Sequence, residues 1–421
     1  MFLLFFVHLY FLNRYAINIP FSDDYVEILK NMNLVLDSGS FSESTRHILH
    51  GNGFSKPITL RLISLLHISV LHEINFKYLV ITGNIFLLFV CFIFIISAIN
   101  INKYIAVTAS CFIFQPQYWE AIYQSTLSNS VFSCLFFSLA SIYCIMQKRT
   151  LFFAGALAFA ILAQISFGNG FLVYPILLMV AIIHKRFRHF AVIFVLMLLS
   201  TYLYMLGNTV PYTAGDNLGL LAKLKLCSVW LVEFIGSSVG YAFSSGYGRD
   251  MAGRTSSIMI GVLIIAFYLF LIWRKYYNKN LLLFSFLTFF ILTALLAAKL
   301  RFNTEVPGAS RYQIQSALCL LTTLIIIIDL YGVKMNRYIV IMLTIAFPIM
   351  FVLITYNTNL STVSGHKTRL ISGLISWMMY GKGLTVWSEE EAAGRLLIQS
   401  NNRDLYKVPT RQTLYLEVWK H

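Results

Sequence analysis

Charge is what this chain has least of. Only 12% of its 421 residues are Asp, Glu, Lys or Arg, and 58% are hydrophobic. A soluble domain carries about twice that charged fraction, so a water-soluble fold is excluded. Acidic residues are the scarcer sign, 17 against 32 Lys and Arg, for a net charge of +15. In a soluble protein that excess would point to nucleic acid. Here the basic residues sit in short loops, where cytoplasmic retention and lipid headgroups account for them, and no nucleic-acid partner is expected. No G-x-G-x-x-G or P-loop pattern occurs, which removes the usual nucleotide-binding folds. The six cysteines (Cys91, Cys111, Cys134, Cys144, Cys227, Cys319) lie in or beside apolar runs without C-x-x-C spacing, and read as small buried hydrophobes rather than metal ligands. No A-x-A-like site follows the first apolar segment. Pro20 and an acidic pair come next, so the segment reads as a retained span and not a signal peptide. No internal repeat or low-complexity tract is evident.

Long apolar runs are what the chain does have. Segments 81–98, 258–273, 281–298 and 339–354 reach or approach the length that crosses a hydrocarbon core of about 30 Å. Spans are placed near 2–19, 76–99, 103–116, 129–146, 151–166, 171–184, 189–206, 257–273, 281–299, 313–331 and 337–356. The expected fold is therefore an all-α polytopic membrane protein of about eleven transmembrane helices. The loops 100–103, 147–150, 184–189, 274–280 and 331–338 all carry Lys or Arg, whereas 117–128 and 167–170 carry none. The positive-inside bias then puts the first set and the N-terminus in the cytoplasm, and the C-terminus outside. Segment 220–243 is apolar enough for one more span but holds Lys223, Lys225 and Glu233. A re-entrant or interfacial element there preserves the parity of the loops.

On this plan the outer face collects every long connection: 20–75, 207–256, 300–312 and a tail, 357–421, too small for a large core of its own. Residues 1–356 form the membrane domain and 357–421 an outer subdomain. The site is expected on that face, on loops held by a rigid bundle. Asp23 and Asp24 stand at the mouth of the first span. Two adjacent carboxylates there are costly, and mutual repulsion holds one proton to a higher pH. The functional reading makes Asp23 a general base with Asp24 as its orienting partner; the plain reading is acidic capping of a helix that follows. His47 and His50 lie three residues apart, and without a third ligand they suit substrate hydrogen bonding better than a metal. Residues 58–72 read as an amphipathic interfacial helix with Arg61, Ser64, His67 and Ser69 on its polar side. Glu120 is the one charge in its loop, beside Tyr118, Trp119 and Tyr123, for which an aromatic belt suffices. Lys299, Arg301 and Arg311 gather in an outer loop against the positive-inside trend, and the fork of Arg311 suits a phosphate at headgroup depth. In the tail, 387–393 reads as a helix start and 404–409 as a turn into an extended end.

Phe21-Ser22-Asp23-Asp24-Tyr25, the His50-Gly51-Asn52-Gly53 stretch and Ser310-Arg311-Tyr312, set in this layout of spans and outer loops, resemble the type C (GT-C) integral-membrane glycosyltransferases. Within them the similarity is to bacterial members that modify lipopolysaccharide O-antigen, such as the phage-encoded serotype-conversion glucosyltransferases. The resemblance implies a polyprenyl-phosphate sugar as donor, a lipid-linked glycan hydroxyl as acceptor, and one inverting displacement on the periplasmic side of the bacterial inner membrane. It implies Asp23 as base with Asp24 beside it, and Arg311 with Lys56 or Arg61 on the donor phosphate. His47, His50, Glu120 and Tyr312 would contact substrate, with neither a cofactor nor a metal expected. Two other readings stay open: an O-antigen polymerase or ligase, and a lipid-linked glycan transporter. The first would be expected to carry its key Arg and His late in the chain. The second needs ionisable groups at mid-membrane, of which the spans are nearly free.

Overall fold

The computed structural model describes residues 2–51, 56–206, 219–242, 251–386 and 389–419. All regular structure among them is helical. The helices in chain order are α1 (Phe2–Tyr15), α2 (Asn31–Asp37), α3 (Phe41–Leu49), α4 (Ile58–Leu71), α5 (Phe76–Ala98), α6 (Ile105–Ile113), α7 (Trp119–Tyr123), α8 (Ser125–Leu127), α9 (Ser133–Ile145) and α10 (Thr150–Ser166). They continue with α11 (Val173–Ile183), α12 (Phe187–Met205), α13 (Leu220–Gly240), α14 (Met251–Trp273), α15 (Leu281–Arg301), α16 (Ser310–Tyr331), α17 (Arg337–Ile341), α18 (Phe347–Tyr380), α19 (Glu390–Asn402) and α20 (Arg411–Trp419). Helix is what an apolar environment demands, because every backbone group must then be satisfied within its own segment. Seven helices among the described residues are long and apolar enough to cross a membrane, which makes this a multi-pass membrane protein. The eleven expected spans all coincide with helix, but α1, α6, α10 and α11 are shorter than a full crossing requires.

Contacts between helix ends sort the loops onto two faces. The Phe76 N–H donates to Asn18 at 2.8 Å, Thr59 meets Ser166 at 2.8 Å, and the Lys56 N–H donates to Tyr204 at 3.0 Å. These bonds gather the end of α1, the start of α5 and the ends of α10 and α12 at one end of the bundle. At the other end Tyr276 donates to Asp329 at 2.6 Å, Lys279 pairs with Asp329 at 3.3 Å, and Arg186 reaches the Ile145 carbonyl. The basic loops therefore share that far end, and the acidic pair lies opposite them. Helix α12 ends at the acidic end, where the Leu206 carbonyl meets Lys56, and Arg254 near the start of α14 pairs with Glu233 of α13. Helix α13 buries only its C-terminal half, packing on α14 through Gly236, Gly240 and Gly261, where an added Cβ would collide with facing backbone. Residues 207–218 and 243–250 of the expected outer segment lie outside the described residues.

Two hydrophobic cores result. The larger fills the bundle. The smaller joins Ile17, Tyr25, Ile28, Leu29 and Met32 from the first connection to Leu370, Leu374, Leu397 and Tyr406 from the C-terminal part. The tail does not fold by itself: the first long connection supplies the other half of its core. Polar links close the seam, with Asn33 donating to Ser400 at 2.7 Å, Tyr406 to the Asn18 carbonyl at 2.8 Å, and Arg403 pairing with Asp37 at 2.7 Å.

Three expectations are corrected. The last span does not end at residue 356. Helix α18 runs 34 residues to Tyr380, about 51 Å, so its final turns stand clear of a 30 Å core and carry Leu370 and Leu374 into the second core. The chain after Pro409 is not extended but forms α20. Tyr118 and Trp119 are buried inside the protein instead of lying in an aromatic belt. The helix expected from Trp387 begins at Glu390; Trp387 and Ser388 lie outside the described residues.

Cysteines introduced by Asn402→Cys and Asn278→Cys, both at exposed positions, are expected to react with an impermeant thiol reagent from opposite sides of sealed vesicles. Labelling of both from one side would overturn the two-faced arrangement.

Candidate active site at the acidic end

The two aspartates have separate fates. Asp24 is buried, and its carboxylate is fully engaged. Oδ1 accepts from the Thr126 N–H at 2.8 Å and the Thr126 hydroxyl at 2.7 Å, and Oδ2 accepts from the Phe21 N–H at 3.1 Å. Burial pushes its pKa up to about 7, with the Thr126 and Phe21 hydrogen bonds pulling down and the neighbouring Asp23 charge pushing up. Asp24 thus ties the first connection to α8. Neither aspartate caps a helix with its side chain, so the plain capping reading fails. The Asp23 carbonyl accepts from the Val26 and Glu27 N–H groups and opens a π-helical turn, Tyr25–Lys30, a rare geometry found often at functional sites.

Asp23 points to solvent. Among the described residues its carboxylate makes no hydrogen bond and no ion pair. Protein nonetheless crowds it: lost hydration is the main cause that raises its pKa, the Glu27 charge adds to this, and Arg311 and Arg301 oppose it. The carboxylate is therefore exposed yet partly desolvated by the protein around it. Ser22, just before it, holds a left-handed φ of 53°, costly for a residue with a Cβ, while its buried hydroxyl lacks a partner and its N–H donates to Thr385. The tail therefore helps to aim the acidic pair.

Arg311, whose charge reaches Asp23, lies with Tyr312 in the first turn of α16. Glu305 meets them: Arg311 pairs with it at 2.9 Å, Arg301 at 2.7 Å, and the Tyr312 hydroxyl donates to the oxygen that Arg311 holds. Glu120 is buried beneath, accepting from the Arg311 N–H at 3.2 Å while its own N–H donates to the Ser310 hydroxyl. It serves the first turn of α16 as an anionic cap, and burial raises its pKa against the pull of Arg311. Asp23, Arg311, Tyr312 and Glu120 thus do come together.

Arg61, Lys56, His47 and His50 play other parts. Arg61 is fully buried, pairs with Glu27 at 2.8 Å and donates to the carbonyls of Ile48 and His50, closing the C-terminus of α3. A guanidinium spent on a carboxylate and carbonyls has no fork left for a phosphate, so the expected phosphate role of Arg61 is corrected. Lys56 is buried as well, with its ammonium on the Leu206 carbonyl at the end of α12 and beside the Tyr204 ring. It too is a structural cap. The His50 carbonyl, not its imidazole, does the structural work here, and the His47 carbonyl faces Arg61 as well. Asn52 and Gly53 lie outside the described residues. No group of three metal-ligating side chains converges among the described residues.

Sequence reasoning missed three residues. Glu305 was passed over because its partners, Arg301 and Arg311, looked like a cationic patch. Thr126 carried no signal, since its contact is 102 residues away. His366 of α18 lies between the rings of Phe21 (edge-on, centroids 4.7 Å apart) and Trp119 (tilted, 4.9 Å), and so touches the segments that carry Asp23 and Glu120. Comparison with protein-family models, curated proteins and solved structures finds no match to this chain.

Arg61→Ala removes a buried cation from Glu27 and from three carbonyls and is expected to cost about 3–5 kcal/mol, read as a lower melting temperature in detergent. Folded Asp24 binds its proton more tightly than unfolded chain does. Its contribution to stability is present at low pH and is lost as pH rises from about 4 to about 7. Asp24→Asn is expected to flatten that part of the melting-temperature profile, and an unchanged slope would assign it elsewhere.

Proposed function

We propose that this chain is an integral-membrane glycosyltransferase of the GT-C kind. In this reading it moves a sugar, a hexose such as glucose, from a polyprenyl-phosphate donor to a hydroxyl of O-antigen or another envelope glycan. The acidic end faces the periplasm, the N-terminus lies in the cytoplasm and the C-terminus outside. One observation carries the reading: an exposed carboxylate without a partner among the described residues, Asp23, lies within electrostatic reach of the arginine in the first turn of α16, at one end of a membrane bundle.

The chemistry follows from those charges. Asp23 takes the proton of the acceptor hydroxyl as its oxygen attacks the anomeric carbon. The bond from that carbon to the phosphate oxygen breaks on the opposite face, its electron pair stays with the phosphate, and configuration inverts. Arg311 meets the charge that grows on the departing phosphate. The donor brings its own activated bond, so no nucleotide site is required, and a divalent cation is not needed beside the guanidinium. Helix α4 supports the lipid side of the reading. Its polar residues Arg61 and Ser64 turn inward, and Leu62, Leu66 and Val70 stay exposed along one face suited to headgroup depth. Asp24 holds the base in place and does not share its proton transfer.

Glycan analysis of a bacterial host with and without the gene is the direct test, with a gain of one hexose per repeat unit expected. Asp23→Asn, matched for membrane level, is expected to abolish that gain. An active variant would remove Asp23 from the chemistry. Because the Asp23 pKa is raised and a base must be ionised, the rate is expected to fall on acidification at a pH above the ordinary carboxylate range.

A further inference from the structure

Glu305 stands where an anionic ligand belongs. Its two carboxylate oxygens divide between two arginines, Oε1 on Arg301 at 2.7 Å and Oε2 on Arg311 at 2.9 Å, and the Tyr312 hydroxyl adds a third donor on Oε2. The donors come from the end of α15 and the start of α16, so they are placed by two rigid helices. The carboxylate comes from the short connection between them, 302–309, held by the Trp230 indole N–H on the Glu305 carbonyl at 2.9 Å. Glu305 and both arginines lie within electrostatic reach of Asp23.

We propose that Glu305 is a tethered stand-in for the phosphate that transfer releases: it occupies the Arg301–Arg311–Tyr312 site when the site is empty, and a phosphate monoester, the polyprenyl phosphate left when the sugar departs from the singly charged diester donor, displaces it. This rests on the glycosyl-phosphate reading above and adds Arg301, Tyr312 and the exchange with Glu305 to it. The exchange is favoured by charge. A carboxylate brings one negative charge and two acceptor oxygens, and a phosphate monoester brings about −1.5 to −2 and three. Two guanidinium groups, a phenol and the first turn of α16 suit the second better. Charge also explains what the stand-in does in the empty site. Without Glu305, two arginines would face each other at a membrane surface and collect any anionic headgroup. With it, only a ligand carrying more charge than one carboxylate gains entry.

Binding tests this separately from transfer. The purified full chain in detergent is titrated with a short-chain isoprenyl monophosphate, with inorganic phosphate, and with phosphatidylglycerol vesicles. Ligand-induced melting shifts and Trp230 emission, taken as the difference from Trp230→Phe, report occupancy. Glu305→Gln is expected to bind the monophosphate at least tenfold more tightly than the native chain, and Arg301→Gln and Arg311→Gln at least tenfold more weakly. Equal or weaker binding by Glu305→Gln, or undiminished binding by both arginine variants, overturns the exchange. A response to vesicles alone overturns it in favour of a headgroup anchor, and a response to inorganic phosphate as strong as to the isoprenyl ester assigns the site to phosphate without its lipid. Should Glu305→Gln not fold, the native chain decides: a phosphate-dependent change in Trp230 emission supports the exchange and its absence overturns it. Tight monophosphate binding without sugar transfer would sink the transferase reading and leave this one standing.

Discussion

A carboxylate taken out of water must be met by donors or give up its charge, and Asp24 is met by three. Two come from Thr126 and one from Phe21, so the bond set crosses from the first connection to the short helix that precedes α9. That crossing is what places Asp23. With Asp24 turned inward, the adjacent side chain is left exposed, within reach of the charges of Arg301 and Arg311. The strain at Ser22 belongs to the same constraint, since a left-handed residue is tolerated only where its surroundings over-determine it.

The second core is the larger consequence. Neither the first connection nor the tail has enough apolar residues to fold alone, and each completes the other. Helix α18 makes the meeting possible. It is too long for the bilayer, so its final turns act as a post around which both segments pack. Lys367 marks the level where the post leaves the bundle: buried, it donates to the Arg14 carbonyl at the end of α1 and pairs with Glu417 of α20. Contacts such as Asn33 with Ser400 close a loop of 367 residues, so this cap can complete only after most of the chain is in place.

Charge at the acidic end is nearly all committed. Glu27 answers Arg61, Glu305 answers Arg301 and Arg311, and Glu120 serves the α16 terminus. Pairing of this kind costs desolvation and contributes little net stability, so it is better read as fixing geometry than as holding the fold together. Asp23 stands apart from these three, with no ion pair or side-chain hydrogen bond among the described residues.

Much of the plan was legible in the sequence. Helical spans follow from apolar runs that lipid permits only as helix, and the alternation of basic and uncharged loops sorted the two faces, because retention of Lys and Arg is a property of short segments. Asp23 and Arg311 stood out in the sequence as charges set against the local trend. What the sequence determined by itself is therefore whatever depends on near neighbours along the chain. Tertiary structure alone decided which aspartate is buried, that Arg61 and Lys56 are spent on carbonyls, and that Glu305 sits between two arginines. It also decided that α18 outruns the membrane to join a core begun near residue 17. Each of these depends on a partner far off in sequence, and a charged residue looks the same in a sequence whether or not its counter-charge is waiting for it.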